Sequence, residues 1–206
     1  MPTPRYTVNE VFLTVQGEGL RCGTANVFLR FTACNLRCAV EPGEKSPGGF
    51  DCDTEFASGR SLGLEELIQW VKDEAGSCRW IVLTGGEPGL QVDKELIDAF
   101  HAKGFKLAIE TNGSIALPDG IDWITVSPKV AEHCIRQLVA HEVKYVRAHG
   151  QSIPKTVVVA ENYLISPAFD AQQANQRNLS WCLDLVKTHP SWRLSLQQHK
   201  GLLSIR

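Results

Sequence analysis

The chain has 206 residues, 43% of them apolar and 21% charged, with a formal net charge of −2. These figures suit one globular domain over 1–206 and exclude the basic footprint of a nucleic-acid binder. No apolar run approaches the roughly 20 residues of a membrane-spanning helix, and residues 1–5 lack a signal peptide's apolar stretch, so a soluble cytoplasmic protein without a membrane partner is expected.

In chain order, 6–15 reads as an additional strand and 27–31 as a short apolar strand. Helix-spaced apolar residues follow over 64–71, then a strand over 80–83. A second helix over 96–100 is capped by Asp93 and stopped by Gly104. Strands are predicted at 105–109, 123–126, 143–146, 163–165 and 193–196, with a helix over 179–186. Such alternation predicts the α/β class, parallel strands with crossover helices forming a sheet or an incomplete barrel. The segment 41–50, EPGEKSPGGF, reads as an exposed loop.

Nearly every predicted strand ends in a compact polar or glycine motif. These are Thr84-Gly85-Gly86-Glu87-Pro88, Glu110-Thr111-Asn112-Gly113, Ser127-Pro128-Lys129 and Gln197-Gln198-His199-Lys200. Any one of them alone reads as an ordinary turn. In register with strand ends that converge on one side of a parallel sheet, the four point to a shared site.

Seven cysteines, an odd number, argue against a disulfide framework. Cys34, Cys38 and Cys52 are clustered, while Cys22, Cys78, Cys134 and Cys182 are scattered and read as buried small side chains. Clustered thiolates can hold zinc or an iron–sulfur cluster. A structural zinc site normally closes with a fourth protein ligand, and no histidine or fourth cysteine lies nearby in the sequence. Three thiolates on a 4Fe-4S cubane leave one iron open, a position able to accept the amino and carboxylate groups of S-adenosylmethionine.

Cys34-x-x-x-Cys38, a later cysteine and the Gly85-Gly86-Glu87-Pro88 turn resemble the radical S-adenosylmethionine superfamily. Val15-Gln16-Gly17-Glu18-Gly19, Cys52-Asp53-Thr54, the strand-end motifs and the ending Trp192 to Lys200 are together similar to the 7-carboxy-7-deazaguanine synthase family. The resemblance implies a partial TIM-like barrel, usually homodimeric. It also implies conversion of 6-carboxytetrahydropterin to 7-carboxy-7-deazaguanine with loss of ammonia, a carbon–nitrogen lyase reaction of queuosine and 7-deazapurine synthesis. A 4Fe-4S cluster, S-adenosylmethionine that is regenerated, Mg2+ and an electron donor such as a flavodoxin or ferredoxin are implied with it.

By the same resemblance Cys34, Cys38 and Cys52 carry the cluster, although thirteen residues separate the last two where the family commonly has two. Thr54 is the implied Mg2+ ligand. Val15, Gln16, Gly17, Glu18, Arg30, Thr84 and the terminal Arg206 are implied substrate contacts. Gly85, Gly86, Glu87, Ser127, Pro128, Lys129, Ser166, Pro167, Ala168 and Phe169 are implied to line S-adenosylmethionine. Arg30 could instead pair with a structural carboxylate, since a charge in an apolar strand needs a partner. Glu110 and Asn112 line the site or cap a strand end. His101, His133, His141, His149 and His189 show no ligand spacing and read as surface residues; the five tryptophans read as packing.

Two rival functions fit parts of the pattern. An activating enzyme acting on a partner protein would keep the radical core but have no use for a pterin-binding segment. A noncatalytic Cys-rich metal-binding module would not need the strand-end motifs.

Overall fold

The computed structural model describes residues 4–36, 38, 57–170 and 173–198. The predicted loop over 41–50, Cys52, Thr54, His199, Lys200 and Arg206 lie outside them. Chain order runs β1 (Arg5–Val15), β2 (Ala25–Phe31), β3 (Arg60–Gly63), α1 (Leu64–Ala75), β4 (Trp80–Gly85), α2 (Lys94–Ala102), β5 (Lys106–Thr111), β6 (Trp123–Val126), β7 (Val139–Arg147), β8 (Val159–Pro167), β9 (Phe169–Asp170), β10 (Gln173–Ala174), α3 (Gln176–Thr188) and β11 (Trp192–Leu194).

Among the described residues nine strands form one sheet in the order β11-β8-β7-β6-β5-β4-β2-β1-β3. From β2 through β11 every neighbouring pair is parallel, and β1 and β3 are added antiparallel at one side. Among the described residues the order is open, with no pairing between β11 and β3. Beyond the predicted elements the structure adds β3 and the small β9–β10 hairpin, whose short runs carry no apolar periodicity.

Alternation along each strand separates two faces. Val27, Leu29 and Phe31 of β2, Ile81 and Leu83 of β4, and Leu107 and Ile109 of β5 join one core with Leu67 and Val71 of α1 and Leu96, Ile97 and Phe100 of α2. Each such side chain contributes about 1.5–3 kcal/mol by leaving water. The capping signal on α2 is realised: Asp93 accepts from the Leu96 amide at 2.8 Å, and Gly104 ends the helix at φ +80°. The residues between those core positions point to the other, concave face.

In β1 the register slips between Val8 and Glu10. Val8 and Val11 are both buried in the helix-side core although three positions apart, which an uninterrupted strand forbids. The extra residue of this bulge reverses the alternation and sets Glu10 opposite Arg30 on the concave face.

Candidate functional site

The carboxyl ends of β2, β4, β5 and β6 lie side by side, so the cysteine loop and the Gly85-Gly86, Glu110-Thr111-Asn112 and Ser127-Pro128-Lys129 motifs share one rim. Cys34 and Cys38 flank one apolar cluster that includes Leu36, Val130 and Ile135. The Cys34 Sγ accepts from the Leu36 amide at 3.4 Å. Ala33, just before it, adopts φ +68°, the left-handed region a Cβ disfavours, so the chain turns sharply into the loop. Asn35 ties the loop to the end of β5, accepting from Asn112 Nδ2 at 3.2 Å and donating to Ser114 Oγ at 2.9 Å.

The paired glycines explain how closely the rim packs. A Cβ on Gly86 would lie 2.0 Å from the Ala33 carbonyl oxygen and 2.9 Å from Cys34 Cβ; one on Gly85, at φ +127°, would lie 2.0 Å from the Phe31 carbonyl oxygen. Only glycine lets the β4 turn lie against the cysteine loop.

Glu87 is fully buried and bridges two strand ends. Its carboxylate accepts from Thr111 Oγ1 and the Gly89 and Asn112 amides, at 2.7, 2.9 and 2.7 Å. Burial raises its pKa above the ordinary carboxylate range, opposed by those three hydrogen bonds. Lys129 donates to Ser127 Oγ at 3.0 Å. Ser166, Pro167 and Ala168 are buried at the end of β8, where Asn178 of α3 donates to the Ala168 carbonyl at 2.9 Å. Phe169 opens the β9–β10 hairpin.

Deeper on the concave face lies a polar interior. Glu10 accepts from Arg30 Nε at 2.9 Å, supplying the structural carboxylate the sequence left open for Arg30. Arg30 pairs with Thr84 in register, so the two stand side by side. Gln16, Gly17 and Glu18 form a turn after β1 that meets the segment after β11. There Gln197 Nε2 donates to Glu18 Oε1 at 2.7 Å, the Gln198 amide to Gly17 at 3.0 Å, and the Gly19 amide to Ser195 Oγ at 3.0 Å. Gln16 Nε2 also reaches Glu110 Oε1 at 3.3 Å.

Lys144, on β7, was not anticipated. Its ammonium pairs with Glu18 and lies 3.4 Å from Glu110 Oε2. Burial pushes the Glu110 carboxyl up to about 7, opposed by Lys144 and reinforced by Glu18 and Glu142. Burial disfavours the charge on Lys144, yet Glu110 and Glu18 outweigh it and hold the ammonium above the ordinary lysine range. Glu142 accepts from the Leu20 amide at 2.9 Å, and Arg21 Nη2 donates to Asn26 at 2.6 Å. The signal that singled out Arg30, an isolated charge within an apolar strand, was equally present for Glu142 and Lys144 in Glu-Val-Lys-Tyr-Val.

Some expectations need correction. His141 is not a plain surface residue: its Nδ1 accepts from the Ile124 amide at 2.9 Å and its ring stacks on Trp123 at 4.9 Å. Of the scattered cysteines only Cys182 is fully buried, its thiol pushed up to about 11 by burial; Cys22, Cys78 and Cys134 are half-buried.

Soft thiolates at this rim suit an iron–sulfur cluster in donor chemistry, and the Gly86–Ala33 contact holds the turn against their loop. Among the described residues no group of three or more metal-binding side chains assembles, the third candidate thiol, Cys52, lying outside them. No described helix is long and apolar enough to cross a membrane.

An open α/β partial barrel, with a cysteine loop after its first parallel strand and a double-glycine turn after the second, has the architecture of a radical S-adenosylmethionine enzyme. QueE from Escherichia coli shares this fold, with a TM-score of 0.67 and 24% identity over 94% of each chain. No family model matches. The chain is 41% identical to the 7-carboxy-7-deazaguanine synthase of Bradyrhizobium diazoefficiens, over 96% of this chain and 98% of that one. It is 38% identical to that of Bordetella pertussis, over 95% and 97% respectively. The chain belongs to the 7-carboxy-7-deazaguanine synthase family.

Proposed function

We propose that the protein converts 6-carboxy-5,6,7,8-tetrahydropterin to 7-carboxy-7-deazaguanine and ammonia on the route to queuosine and other 7-deazapurines. The observation that carries this reading is the 41% identity to a 7-carboxy-7-deazaguanine synthase across almost the whole of both chains. Product and ammonia together account for every atom of the substrate, so the overall step needs no net oxidant. That balance agrees with S-adenosylmethionine being regenerated.

Cys34, Cys38 and Cys52 would hold a 4Fe-4S cluster, Thr54 a Mg2+ ion, and the backbone of Gly85 and Gly86 with Ser127, Pro128, Lys129 and Ser166 to Phe169 the S-adenosylmethionine. When bound, the cluster and S-adenosylmethionine supply a carbon-centred radical able to abstract hydrogen. Glu87, buried with three protein donors on its oxygens, would line the same region.

The chain's own residues bind and orient the pterin. Glu10 engages Arg30 through Nε, so the opposite edge of the guanidinium is the one suited to a substrate carboxylate. Thr84 beside it supplies a hydroxyl, and the turn from Val15 to Glu18 offers amide, carbonyl and carboxylate groups to the ring. Arg206 would be a further substrate contact. An electron donor such as a flavodoxin or ferredoxin, a homodimeric state, a cytoplasmic location and one domain over 1–206 belong to the same reading.

Anaerobic turnover tests it. Reconstituted protein receives 6-carboxytetrahydropterin, S-adenosylmethionine, Mg2+ and a reductant, with products read by mass spectrometry. The expected outcome is deazaguanine without stoichiometric loss of S-adenosylmethionine. Cleavage of S-adenosylmethionine with no deazaguanine would preserve the radical core and overturn the substrate.

A further inference from the structure

We propose that Lys144 is a positioning residue of the substrate site: its buried ammonium, shared by Glu18 and Glu110, aims both carboxylates as acceptors for the N–H groups of the bound ligand and opposes protonation of Glu110. The inference rests on the reading above that a pterin occupies the concave face.

The geometry is a cross-braced pair. Glu18 has one oxygen on Gln197 Nε2 and the other on Lys144, while Glu110 has one on Gln16 Nε2 and the other on Lys144. Each carboxylate is thus held by one neutral amide and by the same cation. Glu110 and Glu142 both pair in register with Thr125 of β6, so Lys144 reaches across an intervening strand to Glu110. A long, unbranched side chain can span that gap, and only 7% of this one is exposed. Desolvating an ammonium this far is costly and is offset only by well-placed opposite charge.

The two carboxylates come from unlike places. Glu110 sits on a central strand, whereas Glu18 is on the turn that closes against the segment after β11. Lys144 therefore links a rigid wall of the site to its cover. Among the described residues, the charges facing Glu110 are Lys144 and Glu142 from β7, Glu18 from the turn, and Arg21 beyond it. Without Lys144, three neighbouring carboxylates are left with Arg21 as the cation among these groups. Like charges then favour protonation, and a protonated Glu110 would present a donor where an acceptor is needed.

The test uses anaerobically reconstituted holoenzyme carrying Lys144→Met, Lys144→Gln or Lys144→Arg. Calorimetry would measure binding of 6-carboxytetrahydropterin from about pH 6 to pH 9, alongside KM and kcat, and isotope-edited infrared spectroscopy would titrate the glutamate carboxyls. Both neutral variants should bind about tenfold more weakly near neutral pH. Affinity should recover as pH rises, with KM changing more than kcat; Lys144→Arg should recover most of the loss. Unchanged affinity and pH dependence in the neutral variants would overturn the proposal, as would failure of both to fold, which would make Lys144 purely structural. If the unsubstituted enzyme does not bind the pterin, the substrate reading falls by itself. The infrared titration still decides Lys144: a Glu110 midpoint moved upward supports the role, and an unmoved one ends it.

Discussion

The two faces of the central sheet are made by alternate residues of the same strands, yet they obey opposite rules. On the helix side Leu29, Leu83, Leu107 and Ile109 are completely buried in an apolar core. One residue along each strand, Arg30, Thr84 and Glu110 face the concave side among Glu10, Gln16, Glu18, Glu142 and Lys144. The first face gains from removing apolar surface from water; the second keeps charges held by one another and by neighbouring amides. Stability and function are thus separated by a single residue step, and substitutions on the two faces should fail differently.

The largest effect is expected on the helix side. Phe100→Ala removes a fully buried ring packed edge-on against Phe105 at 6.0 Å. It should cost about 3–5 kcal/mol of unfolding free energy, measured by denaturant titration. Turnover per folded, cluster-loaded molecule should be unchanged. Arg30→Met makes the opposite case. Loss of the substrate carboxylate's charged partner should lower kcat/KM by about 10²- to 10³-fold. Unfolding free energy should move by less than about 1 kcal/mol, because Arg30 and Glu10 are both partly exposed. Equal losses of stability in the two variants would erase the distinction between the faces.

The helix-side face was largely legible from sequence, because burial against helices leaves a periodic apolar signature. The strand at Trp123–Val126 has its predicted bounds, and the other predicted strands and helices appear with longer or slightly shifted ends. The concave face was legible only through its motifs. Glycine and short polar residues at strand ends announced the rim, whereas for Lys144 the local signal was only a charge within an apolar strand, without its partners. Glu10 reaches the site through a bulge, and bulges leave no periodic trace. Lys144 draws its meaning from Glu18 and Glu110, which lie 126 and 34 residues away in the chain. Chain-distant charge pairing is a property of the folded sheet.

At the rim the two faces meet, and Gly86→Ala probes the junction. The added Cβ would lie 2.0 Å from the Ala33 carbonyl oxygen, a backbone atom that can yield only by moving the segment into Cys34. Overpacking of this kind costs about 1–3 kcal/mol, and here the strain would fall on the cysteine loop. Iron and sulfide content after reconstitution should therefore drop further than global stability. Gly104→Ala is the control: at φ +80° it is strained, but a Cβ there meets nothing within 4 Å. It should lower stability while leaving iron content intact.

A pH slope belongs to the concave face alone. Glu110 has its folded pKa raised to about 7, chiefly by burial, against an ordinary value of 4.5. Between those two values the folded state binds more protons than the unfolded state, so stability falls as pH rises. Below 4.5 both states are protonated and above about 7 both are ionised, so the contribution is level on either side. Subtracting the unfolding free energy of Glu110→Gln from that of the unsubstituted protein should give a difference that declines across this window and is flat beyond it. The same subtraction for Leu83→Ala, which removes no titrating group, should be level throughout. A slope shared by both variants would mean that the charged interior is coupled to the apolar core, not insulated from it by the sheet.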